Sequence, residues 1–148
     1  MSQERVGVTM TDGVADVRLA RPEKRNALDP AMFAALVRTG TELATRPGLR
    51  AVVLSGEGPD FCAGLDFRAF RAMQEGERLS AVTDLPPVTG PAQAVGQRAA
   101  HVWTSLPVPV IAAVTGNALG GGLQIALART SGSWPRTPCC PSSRSTGG

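Results

Sequence analysis

The chain reads as a mixed α/β domain built on a largely parallel sheet, and three observations point there. Apolar runs of strand length, Ala51-Val52-Val53-Leu54 and Val108 to Val114, lack the alternation of a sheet with one wet face. Amphipathic helical stretches separate the strands, so strand, helix and strand form a βαβ unit. A strand, a glycine-containing loop and a helix then follow one another twice. With 148 residues, 43% of them apolar, the chain is long enough for one domain with a real core.

Val6 to Met10 is the first expected strand, Asp12-Gly13 a hairpin turn, and Val14 to Leu19 a second strand. In that second strand Val14, Val17 and Leu19 are apolar, while Asp16 and Arg18 are polar. Arg21 to Leu28 is a polar loop. Asp29-Pro30 has the form of an N-cap followed by proline at the first helical position. Met32, Phe33, Leu36, Val37 and Leu43 then mark the buried stripe of a helix running to about Thr45, stopped by Pro47-Gly48. After the strand from Ala51, Gly56 to Asp66 is a loop and Phe67 to about Met73 a short helix. Gly76 to Pro91, rich in proline, threonine and glycine, reads as a mobile loop, and Ala92 to Leu106 as a helix. Val108 to Val114 is a buried strand despite Pro109, Gly116 to Gly122 a loop, and Leu123 to Leu127 the start of a helix.

The totals exclude several classes of function. A net charge of +3 with no run of basic residues leaves no nucleic-acid footprint. No stretch of about eighteen apolar residues is present, so no membrane span is expected. The first residues, Met1-Ser2-Gln3-Glu4-Arg5, lack the apolar core of a signal peptide, and a cytoplasmic location is the expectation. Cys62, Cys139 and Cys140 are an odd set that argues against a disulfide framework, and the adjacent pair lacks zinc-site spacing, so no metal is expected. Only Lys24 among the cations is a lysine; the arginine skew points to a GC-rich gene.

The chemistry concentrates in two loops of small residues, Phe61-Cys62-Ala63-Gly64-Leu65-Asp66 and Gly116-Asn117-Ala118-Leu119-Gly120-Gly121-Gly122. Each can expose backbone N–H groups at the C-terminal edge of the sheet, and the second opens a helix. Two such donors converging on one point would stabilise an enolate or thioester oxyanion. Either loop alone is better read as glycines making tight turns. Neither loop has the GxGxxG spacing, and no GKS or GKT follows, which rules out both nucleotide motifs.

FCAGLDF and IAAVTGNALGGGLQIALA resemble the two signature segments of the enoyl-CoA hydratase/isomerase (crotonase) family, and RPEKRNALD resembles its N-terminal loop. The resemblance covers about Val6 to Leu127 and implies a crotonase-like spiral of ββα units, incomplete, with the C-terminal half absent. It implies an acyl-CoA thioester as partner, with coenzyme A as part of the substrate and no separate cofactor. It implies that the N–H groups of Ala63 and Gly121 form the oxyanion hole, and that Ala63, Gly64, Leu65, Asp66 and Gly120 line the thioester site. The loop around Lys24, Asn26 and Ala27 would touch the CoA nucleotide, Lys24 through a phosphate. Trimers or hexamers are the family assembly, and their formation by this shorter chain is not expected.

Hydration of an enoyl thioester needs a base to activate water and an acid to protonate the alpha carbon. Family hydratases are similar in using two glutamates, the first at the position of Gln124. Glutamine orients water but exchanges no proton at neutral pH, so this chain departs from the hydratase pattern. Family isomerases manage with one carboxylate. The second glutamate position is Arg144, within a segment from Ala128 to Gly148 that has no leucine, isoleucine, valine, methionine or phenylalanine. Such a segment cannot offset its ordering entropy and is expected to be disordered, leaving 1–127 as the partial domain and 128–148 as an aberrant tail. Back-translated one base out of register with GC-rich codons, the tail can be read as ADIRIVAPDAVLSVLEVYWG. That string is similar to the family segment expected there and puts a glutamate at position 144. A frameshifted tail is therefore expected.

Cys62 has no evident histidine partner, since His101 lies on a separate amphipathic helix, and it reads as a small buried residue. Asp66 is open between an acid–base role and a loop-capping one. Asp16 and Glu57 read as solvated, and Trp103 as core. Three outcomes for the polypeptide follow: an enzyme of acyl-CoA metabolism, a non-catalytic acyl-CoA binder, or an inert product.

Overall fold

The computed structural model describes residues 4–74, 94–128 and 131–133. Five strands form one sheet in the order β1-β2-β3-β4-β5: β1 (Val6–Thr11), β2 (Val14–Leu19), β3 (Ala51–Gly56), β4 (Val110–Ala113) and β5 (Ser131–Ser133). Only β1 runs antiparallel, joined to β2 by a hairpin in which Asp12 and Gly13 both have positive φ, as the twist of a two-residue hairpin demands. β2, β3, β4 and β5 are parallel neighbours, with Val17 opposite Leu54, Leu54 opposite Ala112, and Ala112 opposite Gly132. The helices are α1 (Pro30–Ala44), α2 (Phe67–Gln74), α3 (Val95–Thr104) and α4 (Gly121–Leu127).

The helix expected from Asp29-Pro30 forms because its first turn is capped twice over. The Met32 N–H donates to Asp29 Oδ1 at 2.7 Å, and Pro30 occupies a position whose N–H needs no partner. Met32, Phe33, Leu36, Val37 and Leu43 are all buried, with the strand residues Val17, Leu19, Val52, Leu54, Val110 and Ala112, in one core. Trp103 of α3 is fully buried there. Gly40 lets α1 and α3 cross closely, since a Cβ at that position would lie 2.5 Å from the Val102 side chain.

The differences from expectation have local causes. In β2 the inward face is Ala15, Val17 and Leu19, so Val14, of the opposite parity, faces outward. β4 begins at Val110 because Pro109 has no N–H for the ladder, though its carbonyl still accepts from Val52 at 2.9 Å. α4 begins at Gly121, so the last glycines of the loop form its first turn. The expected loop Gly76 to Pro91 lies outside the described residues, as do Arg144 and the tail, except that Ser131–Ser133 adds a strand where disorder was expected.

Candidate functional site

Three segments meet beyond the C-terminal ends of β2, β3 and β4. The first, Arg21 to Leu28, holds a 3-10 turn at Pro22–Lys24 and two consecutive non-glycine residues, Arg25 and Asn26, at positive φ. That strained backbone is held by the Asn26 side chain, which is 0% exposed. Its Oδ1 accepts from the Arg21 N–H, and its Nδ2 donates to the carbonyls of Glu57 and Asp60, each at 2.9 Å. Asn26 is thus a buried bracket, a correction to its expected role as a nucleotide contact. Ala27 is buried as well, its carbonyl accepting from Arg21 Nη1 at 3.1 Å. Lys24 is exposed, as a phosphate contact requires, with Arg25 exposed beside it.

The two glycine loops lie side by side as a short parallel ladder. The Phe61 N–H donates to the Thr115 carbonyl at 2.8 Å, the Cys62 N–H to Asn117 at 3.0 Å, and the Leu119 N–H to Cys62 at 3.0 Å. Contact is close enough to demand glycine: a Cβ on Gly122 would fall 2.6 Å from Cys62 Cβ, and one on Gly64 2.9 Å from the Leu119 carbonyl. Leu28 joins the group from the first segment. Its backbone bridges Leu65, and its Cδ1 would lie 2.7 Å from a Cβ on Gly121.

Which amides are free decides the chemistry. The Ala63 N–H donates to the Arg25 carbonyl at 2.9 Å. That bond corrects the expectation that Ala63 supplies an oxyanion donor, because an amide committed to one carbonyl is not available to another. In the parallel bridge, Gly64 accepts from the Leu28 N–H at 2.7 Å and Asp66 donates to the Leu28 carbonyl at 3.0 Å. Leu65 sits between them, so its own N–H points away from Leu28. Among the described residues neither the Leu65 nor the Gly121 amide has a hydrogen-bond partner. Gly121 opens α4, so its N–H is a first-turn helical donor with no intrahelical acceptor. The signal for Leu65 is strand alternation within the loop; the family resemblance implies for it only a general place along a thioester site.

The ionisable groups nearby are occupied. Burial pushes the Asp66 carboxyl up, but the Arg68 N–H at 2.8 Å and the Arg21 guanidinium at 2.7 Å outweigh it and leave the pKa below the ordinary aspartate value. Asp66 therefore caps α2 and anchors Arg21, which decides the open question in favour of the capping role. Asp60 is buried, accepting from Asn117 through one oxygen. Cys62 is fully buried; burial pushes its thiol up to about 11, and its Sγ lies 3.1 Å from the Asn26 carbonyl, which fits an inert core residue. Gln124 is exposed on α4. A cleft of about 830 Å³ between α1 and the start of β1 is lined by Arg5, Asp29 and Arg38 among others and holds none of these residues.

The model of the enoyl-CoA hydratase/isomerase family matches residues 9–129, across all three segments. The chain belongs to the enoyl-CoA hydratase/isomerase family. It is 35% identical over 124 residues to the (E)-benzylidenesuccinyl-CoA hydratase of Thauera aromatica, covering 83% of this chain and 44% of the relative. It is 33% identical over 124 residues to an enoyl-CoA isomerase/hydratase of Mycosarcoma maydis, covering 78% of this chain and 41% of the relative. The solved enoyl-CoA hydratase of Bacillus anthracis superposes with a TM-score of 0.72 at 30% identity, over 86% of this chain and 46% of the other. This family member thus spans less than half the length of those relatives, and its described part is an incomplete crotonase fold. No helix among its described residues is long and apolar enough to cross a membrane.

Proposed function

We propose that this chain binds an acyl-CoA thioester at the seam of the two glycine loops and polarises its carbonyl with the amides of Leu65 and Gly121. The observation that carries the reading is the pair of unpartnered amides on loops hydrogen-bonded to one another. Two preorganised N–H donors favour the form of the ligand with charge on oxygen, which is what enolate chemistry needs. Exposed Lys24 supplies a cation for a CoA phosphate. The test is vibrational: crotonyl-CoA labelled with carbon-13 at the thioester carbonyl is expected to show its C=O stretch at lower frequency when bound. An unchanged frequency in the saturated complex would sink the proposal.

Binding without turnover is favoured over hydratase or isomerase catalysis by one feature of the site. Asp60 and Asp66 are committed to hydrogen bonds, Cys62 is buried and protonated, and Gln124 does not ionise. None of these four residues therefore offers a free acid–base group at the loops. Formation of 3-hydroxybutyryl-CoA from crotonyl-CoA by the purified chain would overturn this preference.

We further propose that residues 128–148 are read one base out of register. What supports it is the apolar pattern of the shifted reading, which fills the three positions of β5 with isoleucine, arginine and isoleucine in place of Ser131-Gly132-Ser133. The same shift puts a carboxylate at position 144. A gene sequence whose alternative frame does not encode these residues ends the idea.

A further inference from the structure

We propose that Asp60 is a positioning residue that sets the two oxyanion amides relative to one another, an inference that rests on the thioester reading above. The two donors belong to separate loops, and Asp60 is the side chain that fastens one loop to the other. Its Oδ1 accepts both the Asn117 N–H at 2.8 Å and Asn117 Nδ2 at 2.7 Å, the only side-chain hydrogen bonds between these loops among the described residues. Its carbonyl is held by Asn26 Nδ2 at 2.9 Å, and its Oδ2 lies 3.7 Å from Arg25 Nε. One residue, 5% exposed, therefore touches all three segments of the site.

The geometry around it is tight. A Cβ on Gly116 would fall 2.2 Å from the Pro59 carbonyl and 2.6 Å from Asp60 Oδ1, so the second loop presses its bare backbone onto the carboxylate. Asn117 then passes the constraint on, because its own carbonyl accepts from the Cys62 N–H at 3.0 Å. Leu65 follows Cys62 in the first loop, and Gly121 follows Asn117 in the second. Fixing Asn117 against Asp60 sets how far apart the two donors stand. Oxyanion stabilisation is sensitive to that spacing, since a donor slightly out of place forms no useful bond.

The experiment compares two ligands on the full chain: crotonyl-CoA and its thioether analogue, which lacks the carbonyl. The ratio of their dissociation constants reports on the oxyanion amides alone. D60A is expected to cut the wild-type preference for the thioester by about tenfold while leaving thioether affinity unchanged. N117A, which keeps the backbone N–H, is expected to cut it by about threefold, and the double variant to fall no further than D60A. D60N retains an acceptor oxygen and is expected to recover part of the ratio. A purely structural role would weaken both ligands equally, and that result in D60A or N117A overturns the proposal. Undiminished preference in both variants overturns it too. A wild-type chain that binds both ligands alike overturns the thioester reading itself, and with it this one.

Discussion

The two glycine loops look alike in sequence and differ in how they are held. The loop from Asp60 to Asp66 is clamped from both sides. On one flank the Arg21–Leu28 segment takes its Ala63 and Asp66 amides, and on the other the second loop takes its Phe61 and Cys62 amides. Phe61 and Cys62 are fully buried. In the second loop Thr115, Gly116, Leu119 and Gly120 are exposed, and among the described residues its ties beyond α4 all run to the first loop. The lesson is that a site made of two small-residue turns has a fixed half and a dependent half. The dependent half takes its position from contacts glycine makes possible.

The sharpest way to break that dependence is at the contact itself. Gly116 has φ +55, and a Cβ there would meet the backbone oxygen of Pro59 at 2.2 Å and the hydrogen-bonded Asp60 Oδ1 at 2.6 Å, so neither neighbour yields easily. Gly116→Ala is expected to cost about 3 kcal/mol from strain and overpacking together. Gly120→Ala is the matched control. Its φ of +49 carries the backbone strain, but nothing lies within 4 Å of the added carbon, so about 1 kcal/mol is expected. Urea midpoints of the two variants measure the difference, and equal shifts would contradict the contact argument.

The fixed half is tested at its bracket. Asn26→Ala leaves the Arg21 N–H and the Glu57 and Asp60 carbonyls without their partner in a buried site. About 2 kcal/mol of destabilisation is expected. Asn26→Asp keeps the acceptor but loses both donors, so it is expected to fall close to alanine in a urea titration.

Part of this arrangement is legible in the sequence. The helix at Pro30 was legible because its cap, first-turn proline and buried stripe agree, and the hairpin because Asp12-Gly13 suits positive φ at both positions. The site was legible as two glycine loops but not as particular amides. Whether the Ala63 or the Leu65 N–H is free depends on Arg25 and Leu28 lying alongside, some forty residues earlier in the chain, and no local pattern encodes that pairing. Asn26 misled for the same reason. A polar residue in a polar loop suggests a ligand contact, whereas its three partners come from Arg21, Glu57 and Asp60. The outward face of Val14 needed only the parity of its strand.

Acid is expected to loosen the fixed half at the Asp66 carboxylate. The folded-state pKa of Asp66 is lowered, so its stabilising contribution is complete above the unfolded aspartate value of about 3.9 and is lost as pH falls through the folded value. Wild-type stability is therefore expected to decline more steeply below about pH 4 than that of Asp66→Asn, which has no such proton to take up. Parallel curves would show that Asp66 contributes nothing through its charge.

The smallest effect expected is chemical and leaves stability untouched. Cys62 lies between the two loops, packed on Gly122, with its thiol pushed up to about 11 by burial. At pH 8 it is protonated and shielded, so iodoacetamide should leave it unmodified in the folded chain and alkylate it in urea. Mass spectrometry of the peptide containing Cys62 separates it from Cys139 and Cys140, which belong to the tail. The comparison sharpens if Gly116→Ala is treated in the same way. A second loop lifted from the first uncovers the Cys62 thiol, whereas a second loop that holds its own position leaves it protected. Alkylation of Cys62 under native conditions therefore reports on whether the dependent half has come away, independently of any ligand.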